Sequence, residues 1–184
     1  MKHSLWSAVK LSACCLVLCS VLYPALVFVI GLAGPGAGNG QTVQARGRVV
    51  GFRLIGEKFS QDRYFWGRPS AVGYNADGSG ASNWGPSNPL LIQAVRRRLD
   101  SFLAHDPGIR ARQVPADLLT ASASGLDPDI SPQAAFIQVS RIARARGIAP
   151  GRIRRLIASR VQAGWMGPDK VNVLELNVAL DTLH

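Results

Sequence analysis

The sequence predicts an α+β protein in two parts: one N-terminal transmembrane helix, followed by a single extracytoplasmic mixed domain with several helices and a small sheet. Three observations predict it. Residues 11–33 form an uncharged run dominated by Leu, Val, Ala, Ile and Cys. The chain beyond it mixes short strand-like segments, long Gly/Ser/Asn/Pro stretches and amphipathic helical patterns. All three cysteines, Cys14, Cys15 and Cys19, lie inside the run, so the rest of the chain has to be held by packing and not by disulfides.

The run is 23 residues long, from Leu11 to Ala33. As a helix it reaches about 34 Å, enough to cross the hydrocarbon core of a bilayer. A cleaved signal peptide has a shorter apolar stretch of about 7 to 15 residues, so the run reads as an uncleaved signal anchor. Pro24 in its middle is tolerated where local adjustment satisfies the freed carbonyl. The thiols become packing atoms, because no His or carboxylate lies near enough to share a metal with them. Composition agrees with this division. The chain has 21 Lys+Arg and 11 Asp+Glu, a net charge of +10, and 47% apolar but only 17% charged residues. A soluble domain carries about a quarter charged residues, so the apolar ones must be concentrated somewhere.

Lys2 and Lys10 precede the run, and residues 34–45 after it carry no charge until Arg46. Positive flanks stay in the cytoplasm, which assigns residues 1–10 to a cytoplasmic N-terminus, 11–33 to the anchor, 34–45 to a flexible linker and 46–184 to the extracytoplasmic domain. The GPGAGNG segment (residues 34–40) is a linker by composition. It matches neither nucleotide-binding fingerprint and lacks the lysine of a P-loop.

Within the domain, Arg48 to Ile55 reads as one strand or a short hairpin. From Phe59 to Pro89 the chain is dense in Gly, Ser, Asn and Pro, yet carries Tyr64, Phe65, Trp66, Tyr74 and Trp84. A loop of that length with five aromatics either folds down on its own domain or docks on something else. Asn88-Pro89 is a helix cap followed by proline at the first helical position, and Leu91, Ile92, Val95, Leu99, Phe102 and Leu103 continue at helical spacing to about Ala104. Arg96, Arg97 and Arg98 on that helix read as a solvated face with snorkelling stems. A turn-rich stretch from His105 to Pro132 follows. Ser131-Pro132 then opens a helix ending at Gly147, with Ala135, Val139, Ile142 and Ala143 inward. Pro150 opens another, with Ile153, Leu156, Ile157 and Val161 inward. Val171 to Leu183 reads as a last helix on Val173, Leu176, Leu180 and Leu183, whose start fits a strand equally well.

Chemistry-bearing patterns are sparse. The helix pair 131–146 and 151–163 carries Arg141, Arg144, Arg146, Arg152, Arg154, Arg155 and Arg160 and has the outline of a helix-turn-helix, which makes a membrane-anchored DNA-binding regulator the alternative reading. That reading needs the domain in the cytoplasm, against the flanking charges. Ser7 and Lys10 satisfy a Ser-x-x-Lys pattern only at the membrane entry. His105 beside Asp106 has no framed nucleophile, and Asp127 and Asp129 around Pro128 fit a turn and a helix start better than a cation site. No residue is assigned a catalytic or metal-binding role.

Taken in order, several segments resemble one family: the C subunit of the bacterial potassium-transporting P-type ATPase, the Kdp complex. They are Leu54 to Gly56 with Phe59, YFWGRPSA (Tyr64 to Ala71), YNADGSGASNWGPSNP (Tyr74 to Pro89), VPADLLTASASGLDPDISPQAA (Val114 to Ala135), Gln138 through Gly147, and VNVLELNVALD (Val171 to Asp181). Ala81 and Ala123 stand where the family tends to have glycine, and Asp129 where histidine is common. The resemblance implies a single-pass, non-catalytic accessory subunit of an ATP-driven potassium importer in the bacterial inner membrane. Its implied partners are a channel-like potassium-translocating subunit, a P-type ATPase catalytic subunit and a small single-helix subunit, with no nucleic acid. It further implies a role in assembly and a catalytic-chaperone action that aids ATP binding. No cofactor is expected on this chain; ATP, Mg and K are used by the complex. The sequence contains no Asp-Lys-Thr-Gly phosphorylation motif, so hydrolysis would fall to a partner. Aromatics and arginine dominate interface anchors, so Tyr64, Phe65, Trp66, Arg68, Asn83, Trp84 and Asn88 are the expected docking residues.

Overall fold

The computed structural model describes residues 2–183; Met1 and His184, the outermost residues of the segments above, lie outside them. The chain divides into two compact units, residues 1–41 and 42–184.

The first unit is helical. An α-helix, α1 (Lys2–Val17), passes through a π-helical turn (Leu18–Leu22) into α2 (Tyr23–Leu32). Over Ser4–Leu32 it is long and apolar enough to cross a membrane, with a mean hydropathy of 2.6 in an 18-residue window within it. It starts before the predicted run because Ser4 to Lys10 contains no helix breaker. The π turn sits just ahead of Pro24, which has no N–H to give and whose ring crowds the carbonyl four residues back. Widening the helix by one residue answers this: the Tyr23 N–H donates to the Leu18 carbonyl. Beyond Leu32 the glycine-rich segment closes a series of tight turns, Ala37 N–H to Gly34 O and Asn39 N–H to Gly36 O.

The second unit opens with a hairpin of β1 (Thr42–Ala45) and β2 (Arg48–Phe52), paired antiparallel. Its two turn residues, Arg46 and Gly47, have φ of 51° and 75°, the left-handed pair that matches the twist of a two-residue hairpin. The predicted strand region thus supplies only the second strand. The first comes from the last four residues of the stretch read as linker, which alternate polar and apolar and so can pair.

No helix or strand follows until α3 (Pro89–His105), where the Asn88 side chain accepts the Leu90 N–H at 2.9 Å and Pro89 occupies the first turn. Ala94 and Phe102 are buried, with Val95, Leu99 and Leu103 packed beside them. Ile92, expected inward, is exposed: it shares the stripe of Val95 and Leu99 but sits in the first turn of α3, ahead of the first buried residue, Ala94. Two 3-10 turns (Ala111–Gln113 and Ala116–Leu118) lead to β3 (Asp129–Ile130), which pairs antiparallel with β4 (Val171–Asn172).

The predicted helix 131–146 is two: α4 (Pro132–Ile137), capped by the Ser131 hydroxyl accepting the Ala134 N–H, and α5 (Val139–Arg146), closed by Gly147 at φ 67°. The break falls at Gln138. Next comes α6 (Pro150–Arg160), and after β4 the Asn172 side chain caps α7 (Val173–Leu180). Both readings of this last segment are therefore realised, a two-residue strand turning directly into a helix. The core lies among α3, α4, α5, α6 and α7, with Phe65, Ile142, Ile153, Ile157, Leu176 and Leu180 fully buried. Removing that apolar area from water supplies the main favourable term of the fold.

Candidate functional site

The long aromatic loop folds onto its own domain. Tyr64, Phe65 and Trp66 run through the core with no neighbouring strand, so their backbone groups need partners from side chains. Asn177 of α7 provides one set: its Oδ1 accepts the Phe65 N–H at 2.8 Å and its Nδ2 donates to the Phe65 carbonyl at 3.0 Å. Gln138, at the α4–α5 break, provides the other. Its Oε1 accepts the Trp66 N–H at 2.8 Å, and its Nε2 donates to the Trp66 carbonyl at 3.2 Å and the Ala134 carbonyl at 2.9 Å. Two carboxamides thus do what a sheet neighbour would.

Arg141 ties the segment to α3 and α5. Its side chain is 1% exposed, and Nε donates to Asp106 Oδ2, also 1% exposed, at 3.0 Å. The two terminal nitrogens donate to the carbonyls of Asp62 and Tyr64, each at 3.2 Å, and to Gln138 Oε1. Its guanidinium stacks over the Trp66 ring at 3.9 Å. Burial pushes the Asp106 carboxyl up, opposed by the attraction of Arg141, and the same burial pulls Arg141 down.

The other expected docking residues separate into two groups. Tyr64 donates to Asp181 at 3.2 Å and Arg68 pairs with Asp127 at 2.9 Å, so both are half-buried and engaged. Phe65 is at 0% exposure and offers no surface at all. Tyr64, Trp66 and Arg68 keep part of their surface while also supporting the fold, so of the segment only Phe65 is withdrawn from any contact with a partner. Asn88 is committed to capping α3. Asn83 and Trp84 remain at the surface, with Trp84 36% exposed.

The rest of the loop is pinned to the stretch preceding β3. Gly56 N–H donates to Leu126 O at 2.7 Å, Ser122 N–H to Pro69 O at 3.0 Å, and Gly80 N–H to Ser124 O at 2.8 Å. Gly56 is required there, because a Cβ would collide with the Asp127 carbonyl. An open cleft of about 500 Å³ lies beside the loop, with Phe59, Trp66 and Phe102 in its apolar wall and Lys58, Arg97 and His105 along it.

The catalytic and DNA-binding patterns do not assemble. His105 Nδ1 lies 2.7 Å from Asp62 Oδ1 and its ring edges Trp66, while Asp106 turns inward to Arg141. Asp127 accepts the Asp129 N–H, and Asp129 pairs with Lys170 at 2.6 Å, a turn and an ion pair. Among the described residues no group of three or more His, Cys, Asp or Glu could hold a metal. Of the seven arginines in the helix pair, Arg141 is buried, Arg146 pairs with Asp181 at 2.7 Å and Arg144 donates to the His105 carbonyl. The pair is a packing unit, and the DNA-binding alternative has no support.

Sequence reasoning missed Gln138, Arg141 and Asn177. For Asn177 the available signal was a polar residue at an inward position of an otherwise apolar helix, between Leu176 and Leu180.

Comparison with known proteins shows the family. Residues 5–182 match the model of the family described as KdpC: K+-transporting ATPase, c chain. The chain is 47% identical over 180 residues to the potassium-transporting ATPase KdpC subunit of Flavobacterium johnsoniae, covering 98% of each. It is 52% identical over 153 residues to that of Variovorax paradoxus, covering 80% of this chain and 79% of the relative. With the Herpetosiphon aurantiacus protein of the same name it shares 49% identity over 174 residues, 91% of this chain and 90% of the relative. Matched in this way from the apolar helix to the last turn of α7, the chain belongs to the KdpC family, the c chain of the K+-transporting ATPase.

Proposed function

We propose that this chain is a non-catalytic accessory subunit of an ATP-driven potassium importer, anchored by one membrane span, with its N-terminus in the cytoplasm and the domain from Thr42 onward outside. The observation that carries it is the family match over residues 5–182 together with relatives that bear the name of a potassium-transporting ATPase subunit. The orientation rests on Lys2 and Lys10 ahead of the span and the uncharged stretch behind it. A single exposed apolar helix of this length suits a bilayer and a partner's helices better than water.

In this reading the channel-like subunit, the P-type ATPase subunit and the small single-helix subunit are its partners. ATP, Mg and K belong to the complex, because the sequence has neither a phosphorylation motif nor a nucleotide loop to use them. The domain acts by assembly and by aiding the nucleotide affinity of the ATPase subunit without touching nucleotide itself. Docking falls to the exposed part of the loop, Asn83 and Trp84.

The experiment is a pair of fusions after His184, one to alkaline phosphatase and one to a reporter fluorescent only in the cytoplasm. Active phosphatase with a dark reporter is the expected result. The reverse would place the domain inside and end the proposed topology.

A further inference from the structure

The most exposed large apolar side chains of the domain are consecutive. Trp165 and Met166 are 93% and 85% exposed, on the loop between α6 and β4. The loop is not slack. Gln162 and Lys170 exchange backbone hydrogen bonds at its base, 2.8 and 3.0 Å, and Asp169 Oδ1 accepts the Gly164 N–H at 3.1 Å across it. Gly164 is required, because a Cβ would collide with the Gly167 carbonyl. Two large apolar side chains are therefore held out on a preorganised tip, at a standing cost in water. Tryptophan and methionine are enriched at interface cores, and a rigid presentation lowers the entropy lost on docking.

The surroundings decide between a bilayer and a protein. The loop borders a cleft of about 570 Å³ lined by Asp117, Asp127, Asp129 and Asp169 against Arg68 and Lys170. Both cations are already taken, Arg68 by Asp127 and Lys170 by Asp129. The excess is acidic, which repels anionic headgroups and favours a neutral or basic rim.

We propose that Trp165 and Met166 form a knob that inserts into an apolar socket with a basic or neutral rim on a protein partner within the transport complex. This rests on the subunit reading above. The chain has two methionines, Met1 and Met166, so one peptide reports the knob. The test is the rate of peroxide oxidation of Met166, read by mass spectrometry. It is measured in the full chain alone in neutral detergent, in phosphatidylglycerol vesicles, and in the complex purified with its co-expressed partners.

The expected result is at least tenfold slower oxidation in the complex and no protection in the vesicles, with Trp165→Ala recovering several-fold less complex. A rate in the complex within twofold of the free chain, equal protection in vesicles, or wild-type recovery of Trp165→Ala would each overturn the proposal. Trp165 is almost fully exposed, so its substitution leaves the fold intact. Failure of the unaltered chain to co-purify would instead overturn the subunit reading, and the knob's partner with it.

Discussion

Asn177 pairs with both backbone groups of Phe65, across 112 positions of sequence, accepting at 2.8 Å and donating at 3.0 Å. Asn177→Leu keeps the volume but leaves a buried N–H and a buried carbonyl without partners. An orphaned buried polar group costs about 1–3 kcal/mol, so with two of them the variant should lose about 2–6 kcal/mol. Urea unfolding of the full chain in detergent measures it.

Arg141 and Asp106 are both buried, and burial outweighs their mutual attraction in setting the Asp106 carboxyl. Removing one member strands the other charge. Asp106→Asn and Arg141→Met should each destabilise by about 3–5 kcal/mol. The double variant should be less destabilised than the sum of the singles, a coupling that a double-mutant cycle reads directly.

Glu57 gives a pH signature. Burial raises its carboxyl above the ordinary value, so the folded chain holds the proton more tightly than the unfolded one. That contribution is complete below the unfolded carboxylate range, about pH 4, and is lost as pH rises through the raised folded value. Glu57→Gln should therefore melt higher than the parent at pH 8, with the difference vanishing near pH 4. A difference that grew on acidification would contradict the sign.

Gly147 and Gly125 both have φ near 70°, but a side chain at Gly147 meets open space, whereas at Gly125 it meets Val72 and the Gly80 carbonyl. Alanine at 147 should cost only the left-handed backbone penalty, about 1–3 kcal/mol. At 125 overpacking adds about 1–3 kcal/mol more. Thermal melts of the two variants should fall in that order.

Trp84→Ala should leave unfolding unchanged while lowering the fraction of chain recovered with its partner subunits. Its ring is a surface group beside an intact core. Alanine at Trp66 instead strips the face over which Arg141 stacks, so its effect would appear first as lost stability.

Much of the fold was legible because its signals are local. Asn88-Pro89 and Ser131-Pro132 carry their caps in sequence, and helical spacing identified Ile142, Ile153, Ile157 and Leu176 as core. The apolar span was readable from length alone. Arg141 was not, because nothing local distinguishes a buried arginine from its exposed neighbours; its burial depends on Asp106 and on loop carbonyls, all far away in sequence. The inward course of the aromatic segment was hidden for the same reason. The residues that draw Phe65 and Trp66 inward, Asn177 and Gln138, lie 112 and 72 positions away.

That separation sets an order of events in synthesis. At ribosomal speeds of about 5–20 residues per second, Phe65 emerges about 6–22 s before Asn177 exists to receive it. Throughout that interval the Tyr64–Trp66 segment has no native partner from the last helix, and the nascent chain presents three adjacent aromatics with the Phe65 amide unpaired. A holdase acting on the emerging or translocating chain would have its binding site there, and would be displaced when α7 arrives.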